Sequence, residues 1–343
     1  MFLFASCYKK QDTLFKLLSA NETGIHFTNS VEATDSFNIL TYEYIYNGGG
    51  VGIADFNNDG KQDVFFTGNQ VDNRLYLNLG DFKFKDITAE ANVNVTGRWN
   101  SGVSIIDINN DEWPDIYVCA TMKPDSLDRK NMLFINNGLN KEGFPTFTEK
   151  AAEYKIDDMG FSVNSAFFDY DHDGDLDLYV LTNQKLPNFS TSYRLKIVDG
   201  TSPNNDRLYR NNGDGTFSNV SKEAGILIEG FGLGLAISDF NNDGWPDIYV
   251  SNDYLSNDIL YINNRDGTFK NRIADYIGHQ SQFSMGNDVA DINNDGMSDI
   301  FTVDMLPEIN TRKKTTISNK TYQNYLNNKE FGYEFQYVRN MLH

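Results

Sequence analysis

Histidine, cysteine, tryptophan and proline are all scarce in this chain of 343 residues, which has 4, 2, 3 and 7 of them. His26, His172, His279 and His343 show no HExxH or other paired spacing, which excludes the common zinc-enzyme signatures. Two cysteines, Cys7 and Cys119, build no disulfide framework, and Cys119 within the apolar run IYVCA reads as a small buried hydrophobe. No GxSxG elbow occurs and no His or Asn stands near a cysteine, so nucleophilic hydrolysis lacks its usual parts. Basic residues are also few. There are 29 Lys and Arg against 48 Asp and Glu, a formal charge of −19, with no patch to meet nucleic-acid phosphates. No run approaches the roughly 20 apolar residues of a membrane span. The start, MFLFASC, resembles the tail of a bacterial lipoprotein signal without its basic region. Residues 1–13 are therefore read as a leader remnant with Cys7 as the point of lipid attachment. The chain is expected outside the cytoplasm, as a surface or outer-membrane lipoprotein or a secreted protein.

What is abundant is acid in one arrangement. Five nine-residue loops carry oxygen-bearing side chains at positions one, three, five and nine, with glycine at position six in four of them. They are Asp55, Asn57, Asp59, Asp63; Asp107, Asn109, Asp111, Asp115; Asp169, Asp171, Asp173, Asp177; Asp239, Asn241, Asp243, Asp247; and Asp291, Asn293, Asp295, Asp299. The seventh-position residues Lys61, Trp113, Asp175, Trp245 and Met297 complete each candidate metal set. Alternate positions on a curled loop turn hard oxygens inward, and glycine allows the tight turn, which is calcium chemistry. Up to five structural Ca²⁺ are expected. Sixteen carboxylates stand at positions one, three, five and nine and would repel one another without metal. Asx turns that cap their own backbone account for the Asn and Gly of such loops, but not for the recurring ninth Asp.

An EF-hand needs a Glu at position twelve and helices on both sides. Here position twelve is Phe66, Val118, Val180, Val250 or Thr302, and the flanks (VSIIDI before, DIYVCA after, for example) suit short strands. Each loop thus joins the two strands of a hairpin. Successive loops begin 52, 62, 70 and 52 residues apart. A third run follows each of the first four hairpins (NRLYLNLG, NMLFINNG, DRLYRNNG, DILYINNR), then a fourth (FKFKDIT, PTFTEKA, GTFSNVS, GTFKNRI). Four strands repeated with turns make the blade of a β-propeller, so the fold class is all-β, with one propeller domain over 14–343. Segment 15–25 resembles 217–226 and is expected as an outer strand lacking the rest of its blade. Long insertions at 186–205 and 306–336 are expected on one rim, as a contact surface. The glycines of GGGVG (48–52) and GFGLG (230–234) lead into strands and are read as close packing at the propeller axis, not as phosphate loops. Trp113-Pro114 and Trp245-Pro246 are read as packing within the loops.

The D-x-[DN]-x-D-G-x-x-D hairpin, followed by N-x-L-Y and G-T-F segments, resembles the FG-GAP/VCBS repeat of integrin α-subunit propellers. It is closer still to the group that includes cartilage acidic protein and carries an ASPIC/UnbV domain, which would lie beyond His343. The resemblance implies a seven-bladed ring of which five repeats are present, calcium in the loops, surface display or secretion, and adhesion. It points to a non-catalytic module that binds a protein or glycan ligand on one rim. The alternatives are a propeller-fold polysaccharide lyase or hydrolase, which an acidic pair in a central cleft would mark, and a scaffold for an adjoining enzymatic module. Glu112 replaces the sixth-position glycine of loop two, so that site is expected to be weaker or differently folded.

Overall fold

The computed structural model of the chain describes residues 13–184, 193–316 and 322–343. The leader with Cys7 and parts of both insertions lie outside the described residues.

Four antiparallel four-stranded sheets follow one another in chain order. Blade one is Val51–Ala54, Asp63–Phe66, Arg74–Gly80 and Lys83–Asp86; blade two is Asn100–Ile106, Asp115–Ala120, Met132–Leu139 and Pro145–Glu149. Blade three is Ser162–Phe168, Asp177–Thr182, Arg207–Asn211 and Phe217–Asn219; blade four is Gly232–Ser238, Asp247–Asn252, Ile259–Asn263 and Phe269–Asn271. A fifth sheet has three strands, Ser284–Ala290, Asp299–Asp304 and Met341–Leu342. The first strands of successive blades lie side by side at the axis, as the β-propeller reading requires. There the expected crowding is present: a Cβ on Gly50 would sit 2.9 Å from the Ser101 carbonyl oxygen of the next blade.

Blades stack through one repeated contact. The third residue of each second strand is aromatic, and Phe65, Tyr117, Tyr179 and Tyr249 are wholly buried. Each belongs to a core cluster shared with the next blade: Phe65 with Ile116 and Val118, Tyr117 with Leu178 and Val180, Tyr179 with Ile248 and Val250, and Tyr249 with Ile300. Burying such a ring contributes about 2–3 kcal/mol, which makes this contact the main adhesive between blades. The equivalent Phe301 in blade five has no blade packed ahead of it among the described residues and is 39% exposed. Cys119 is fully buried among these residues, and burial pushes its thiol up to about 12, so it is the small core residue expected.

Segment 15–25 corrects one expectation. It forms no strand, because no third strand lies beside it among the described residues. Instead Ser19 and Glu22 make a reciprocal capping box on the one-turn helix Ala20–Thr23. Gly24, at φ 81°, then packs on the Phe84 carbonyl of blade one as Gly225, also at φ 81°, packs on Phe269 of blade four. The likeness to 217–226 is therefore real for the turn that ends in glycine, one helical turn at 20–23 and a plain turn at 221–225, where contact with the following blade suffices.

Because the sheets are antiparallel, all first hairpins turn on one rim and all connections from second to third strands on the other. That second rim is elaborated. Segment 28–50 crosses it from blade one, where Asn29 Nδ2 donates to Asn69 Oδ1, to blade four, where the Tyr44 hydroxyl donates to Asp253 Oδ2 at 2.8 Å. The two insertions meet there: Tyr193 stacks on Phe331, and the Tyr333 hydroxyl donates to the Arg194 carbonyl at 2.7 Å. The second insertion contains the helices Asn310–Thr316 and Tyr322–Phe331, neither long nor apolar enough to cross a membrane.

Candidate metal centres in the hairpin loops

Every loop is closed in the same register: Ala54 pairs with Asp63, Ile106 with Asp115, Phe168 with Asp177, Ser238 with Asp247 and Ala290 with Asp299. Two left-handed residues curl the chain between these pairs. The fourth positions, Asn58, Asn110, His172, Asn242 and Asn294, have φ of 55–60°, and the sixth-position glycines have φ of 85–95°. Glu112 adopts the same conformation at φ 68°. Loop two is thus folded like the others, against the expectation of a different fold, and bears the strain of a side chain in a left-handed conformation.

The first Asp of each loop receives the main-chain N–H groups of positions five and six on its two oxygens; in loop three, Asp173 and Gly174 donate to Asp169 at 3.2 and 3.1 Å. The fifth Asp receives the N–H of position seven, as Asp173 does from Asp175 at 2.9 Å. At position seven of loop one the side chain turns back on the cluster: Lys61 Nζ pairs with Asp59 Oδ2 at 2.9 Å. Its ammonium cannot ligate a cation, which leaves only the main-chain carbonyl of Lys61 as a donor. Trp245 stacks on His172 of loop three at 4.0 Å, the packing role expected for it. Trp113 lies against Gly138 of its own blade.

The ninth Asp does more than the spacing alone conveys. Asp63, Asp115, Asp177 and Asp247 are wholly buried. One oxygen accepts the N–H of position two and the other the N–H of an asparagine on the third strand, for example Phe240 at 2.9 Å and Asn263 at 2.8 Å onto Asp247. Burial pushes these carboxyls up, to about 6 for Asp63 and Asp247 and about 7 for Asp115 and Asp177, against the lowering effect of the N–H groups. The partner asparagines Asn78, Asn136, Asn211 and Asn263 also hold the loop's eighth carbonyl through Nδ2. Asn136 and Asn263 reach further, to the Phe56 and Tyr170 carbonyls of the preceding blade's loop. Sequence reasoning missed these four; their signal was an Asn at a constant place in the LYLN, LFIN, LYRN and LYIN runs.

The third position tests the fit to a cation. Asn57 Oδ1 and Asp171 Oδ1 are buried without any hydrogen-bond partner, whereas the Oδ1 atoms of Asn109, Asn241 and Asn293 accept the N–H of the fifth residue. A buried oxygen with nothing to accept is costly, and a hard cation would complete it. In loop three, oxygens of Asp169, Asp171 and Asp177 lie within 4.8 Å of one another. Loop four differs, since Arg265 pairs with Asp243 Oδ2 at 2.8 Å. Where the first strands converge, an axial cavity of about 480 Å³ is lined by Asn47, Gly50, Ser101, Asn164, Leu233, Met285 and neighbouring small residues, none of them titratable.

No curated protein matches this chain. Among solved structures, a rhamnogalacturonan lyase PL11 of Bacillus licheniformis is similar to it at 12% identity and a TM-score of 0.38, over 74% of this chain and 46% of that one. The chain thus spans under half the length of that structure, and so distant a likeness says nothing of activity. The family of FG-GAP-like repeats is matched over residues 55–118, 197–250 and 239–302. Two of these matches begin at the first Asp of a loop, and all three end at the fourth residue of a blade's second strand, at Val118, Val250 and Thr302. Two of the matches run from one loop through the rest of its blade to the next loop and its hairpin, a full repeat of the propeller, and the chain belongs to the FG-GAP-like repeat family.

Proposed function

We propose that this chain is a non-catalytic, calcium-stabilised propeller of the cell surface or secreted space, which presents the rim opposite its metal loops to a protein or glycan. The observation that carries the reading is the pair of unpartnered third-position oxygens set among inward-turned carboxylates. Asn57, Asp169 and Asp171, with the first, fifth and ninth Asp of the other loops, would hold the ions, and a bound Ca²⁺ would supply charge neutralisation between two strands. Open sites built wholly of oxygen suit the millimolar calcium found outside cells. A strap and two insertions elaborate the opposite rim, while the axial cavity offers no acid or base, which favours binding over hydrolysis or elimination. The uncovered Phe301 fits a further blade, as a larger ring would require.

Calorimetry with and without calcium tests the metal claim. Unfolding entropy of about 2.1 cal/mol/K per residue puts the whole chain near 0.7 kcal/mol/K. A site at a hundred times its Kd adds about 2.7 kcal/mol, so each filled loop should raise Tm by about 4 °C. An EDTA-treated sample whose Tm does not move on adding 5 mM CaCl₂ would end the claim, and a glycan and protein array with no hit would end the binding reading.

A further inference from the structure

The two insertions, which a blade does not need, enclose a cavity of about 170 Å³ with the 256–259 stretch of blade four. Its hydrogen-bonding groups are unequal. Glu229 is spent, with both oxygens taken by Arg194, Ser202 and the Ile197 N–H. Asp258 is spent on Asn252, Tyr249 and Ser284. What remains open is a set of donors. Lys196 lies 5.0 Å over the Tyr333 ring, in no ion pair among the described residues, and burial lowers the proton affinity of its amine against the raising effect of the Glu334 carboxylate. Asn271 uses Oδ1 for the Leu260 and Ile273 N–H groups and leaves Nδ2 without a partner among the described residues. The Ser256 hydroxyl is likewise unpaired among them. Val198, Ile228 and Ile259 give the lining its apolar wall.

We infer that this cavity binds one carboxylate-bearing sugar, a uronic-acid unit of an acidic polysaccharide, with its carboxylate on Lys196 Nζ and Asn271 Nδ2 and its ring against the apolar wall. The chemistry follows from the inventory: the lining carboxylates are already hydrogen-bonded, the open groups are donors, and a partly dehydrated ammonium outside any ion pair selects an anion that can approach it directly. The volume lies below the range of about 300–1,000 Å³ for drug-sized ligands and suits a single ring. The insertions that line the cavity belong to the rim opposite the metal loops, among the connections from second to third strands. This inference rests on the rim as the ligand face and names the ligand class.

The test is isothermal titration of the full chain, in calcium, with trigalacturonate, neutral galactotriose and inorganic sulfate. Trigalacturonate should bind, and galactotriose should bind at least tenfold more weakly. Lys196→Gln, which removes the charge and leaves a polar side chain one atom shorter, should weaken trigalacturonate at least tenfold. Asn271→Asp, which keeps the two accepted N–H bonds and adds a repelling charge, should weaken it as much, with Tm of both variants within a few degrees of the parent. Undetectable binding of trigalacturonate, equal affinity for galactotriose, or unchanged affinity in both variants overturns the inference. Sulfate bound as tightly as the sugar also overturns it, because the site is then one for a bare anion. A glycan array with hits indifferent to Lys196→Gln removes this pocket and leaves the rim reading standing, whereas an array without hits removes both.

Discussion

Asp258→Asn should stabilise this protein above neutral pH, although it alters a residue only 1% exposed. Asp258 Oδ1 accepts the Asn252 N–H at 2.8 Å, and Oδ2 accepts the Tyr249 and Ser284 hydroxyls at 2.8 and 3.1 Å. It belongs to no ion pair among the described residues, and Asp304 acts on it with the wrong sign. Burial pushes its carboxyl up to about 7, while the unfolded chain returns it to about 3.9. Between those values the folded chain holds a proton that the unfolded chain has released. Stability is therefore greatest at the acid end of the window and falls as pH rises through it, by about 4 kcal/mol in all. Blade two shows how an amide fills the same place. Asn131 Oδ1 accepts the Ala120 N–H at 2.9 Å, Nδ2 donates to the Tyr117 and Ser162 hydroxyls at 3.0 Å each, and Tyr117 passes its proton to the Ile156 carbonyl. The hydroxyls simply reverse. Tyr249 has the Thr302 hydroxyl at 3.4 Å to receive its proton in the same way. The variant should keep three hydrogen bonds and lose the buried charge. Urea melts in saturating calcium should then give stability within about 1 kcal/mol of the parent at pH 5 and about 3 kcal/mol above it at pH 8. The shallower slope that remains belongs to Asp206, pushed up to about 6 by its own burial, and to those of Asp63, Asp115, Asp177 and Asp247 that hold no calcium. A variant with the parent's pH slope, or one less stable than the parent at pH 8, would refute the reasoning.

Glu112→Gly should stabilise the chain by about 0.5–1 kcal/mol in urea, since relief of the left-handed strain exceeds the added chain entropy; a loss of stability would show that the Glu side chain contributes contacts. Asn263→Ala strips partners from the carbonyls of Tyr170 and Pro246 at 2.8 and 3.2 Å and should cost about 3 kcal/mol, whereas Asn211→Ala, which has no reach to the preceding blade, should cost about 1 kcal/mol. Equal losses in a urea titration of the two would dismiss the clamp between blades.

Much of the propeller was legible because its unit is local. Apolar runs of strand length, an eight-residue turn with two left-handed positions and aspartates at fixed offsets all lie within about 20 residues, where spacing alone sets geometry. The N-terminal segment was misread for the same reason: 15–25 has the pattern of an outer strand, but a strand needs a neighbour to pair with, and only its helix and Gly24 find one on blade one. The ninth Asp was recognised as an oxygen donor, while its burial and its hold on the third strand were not, since Asn211 lies 34 residues beyond Asp177.

The order of residues by itself determined the repeats, the hairpins and the inward oxygen sets, since each depends on neighbours along the chain and on the stereochemistry of Asn, Asp and Gly. Folding decided the rest: which aromatic ring seals which blade, which acids lose their water, and how Lys196 and Tyr333, 137 positions apart by their numbers, come to share one cavity. Those outcomes depend on burial and on contacts between blades and insertions, and neither quantity exists until the sheets have closed around the axis.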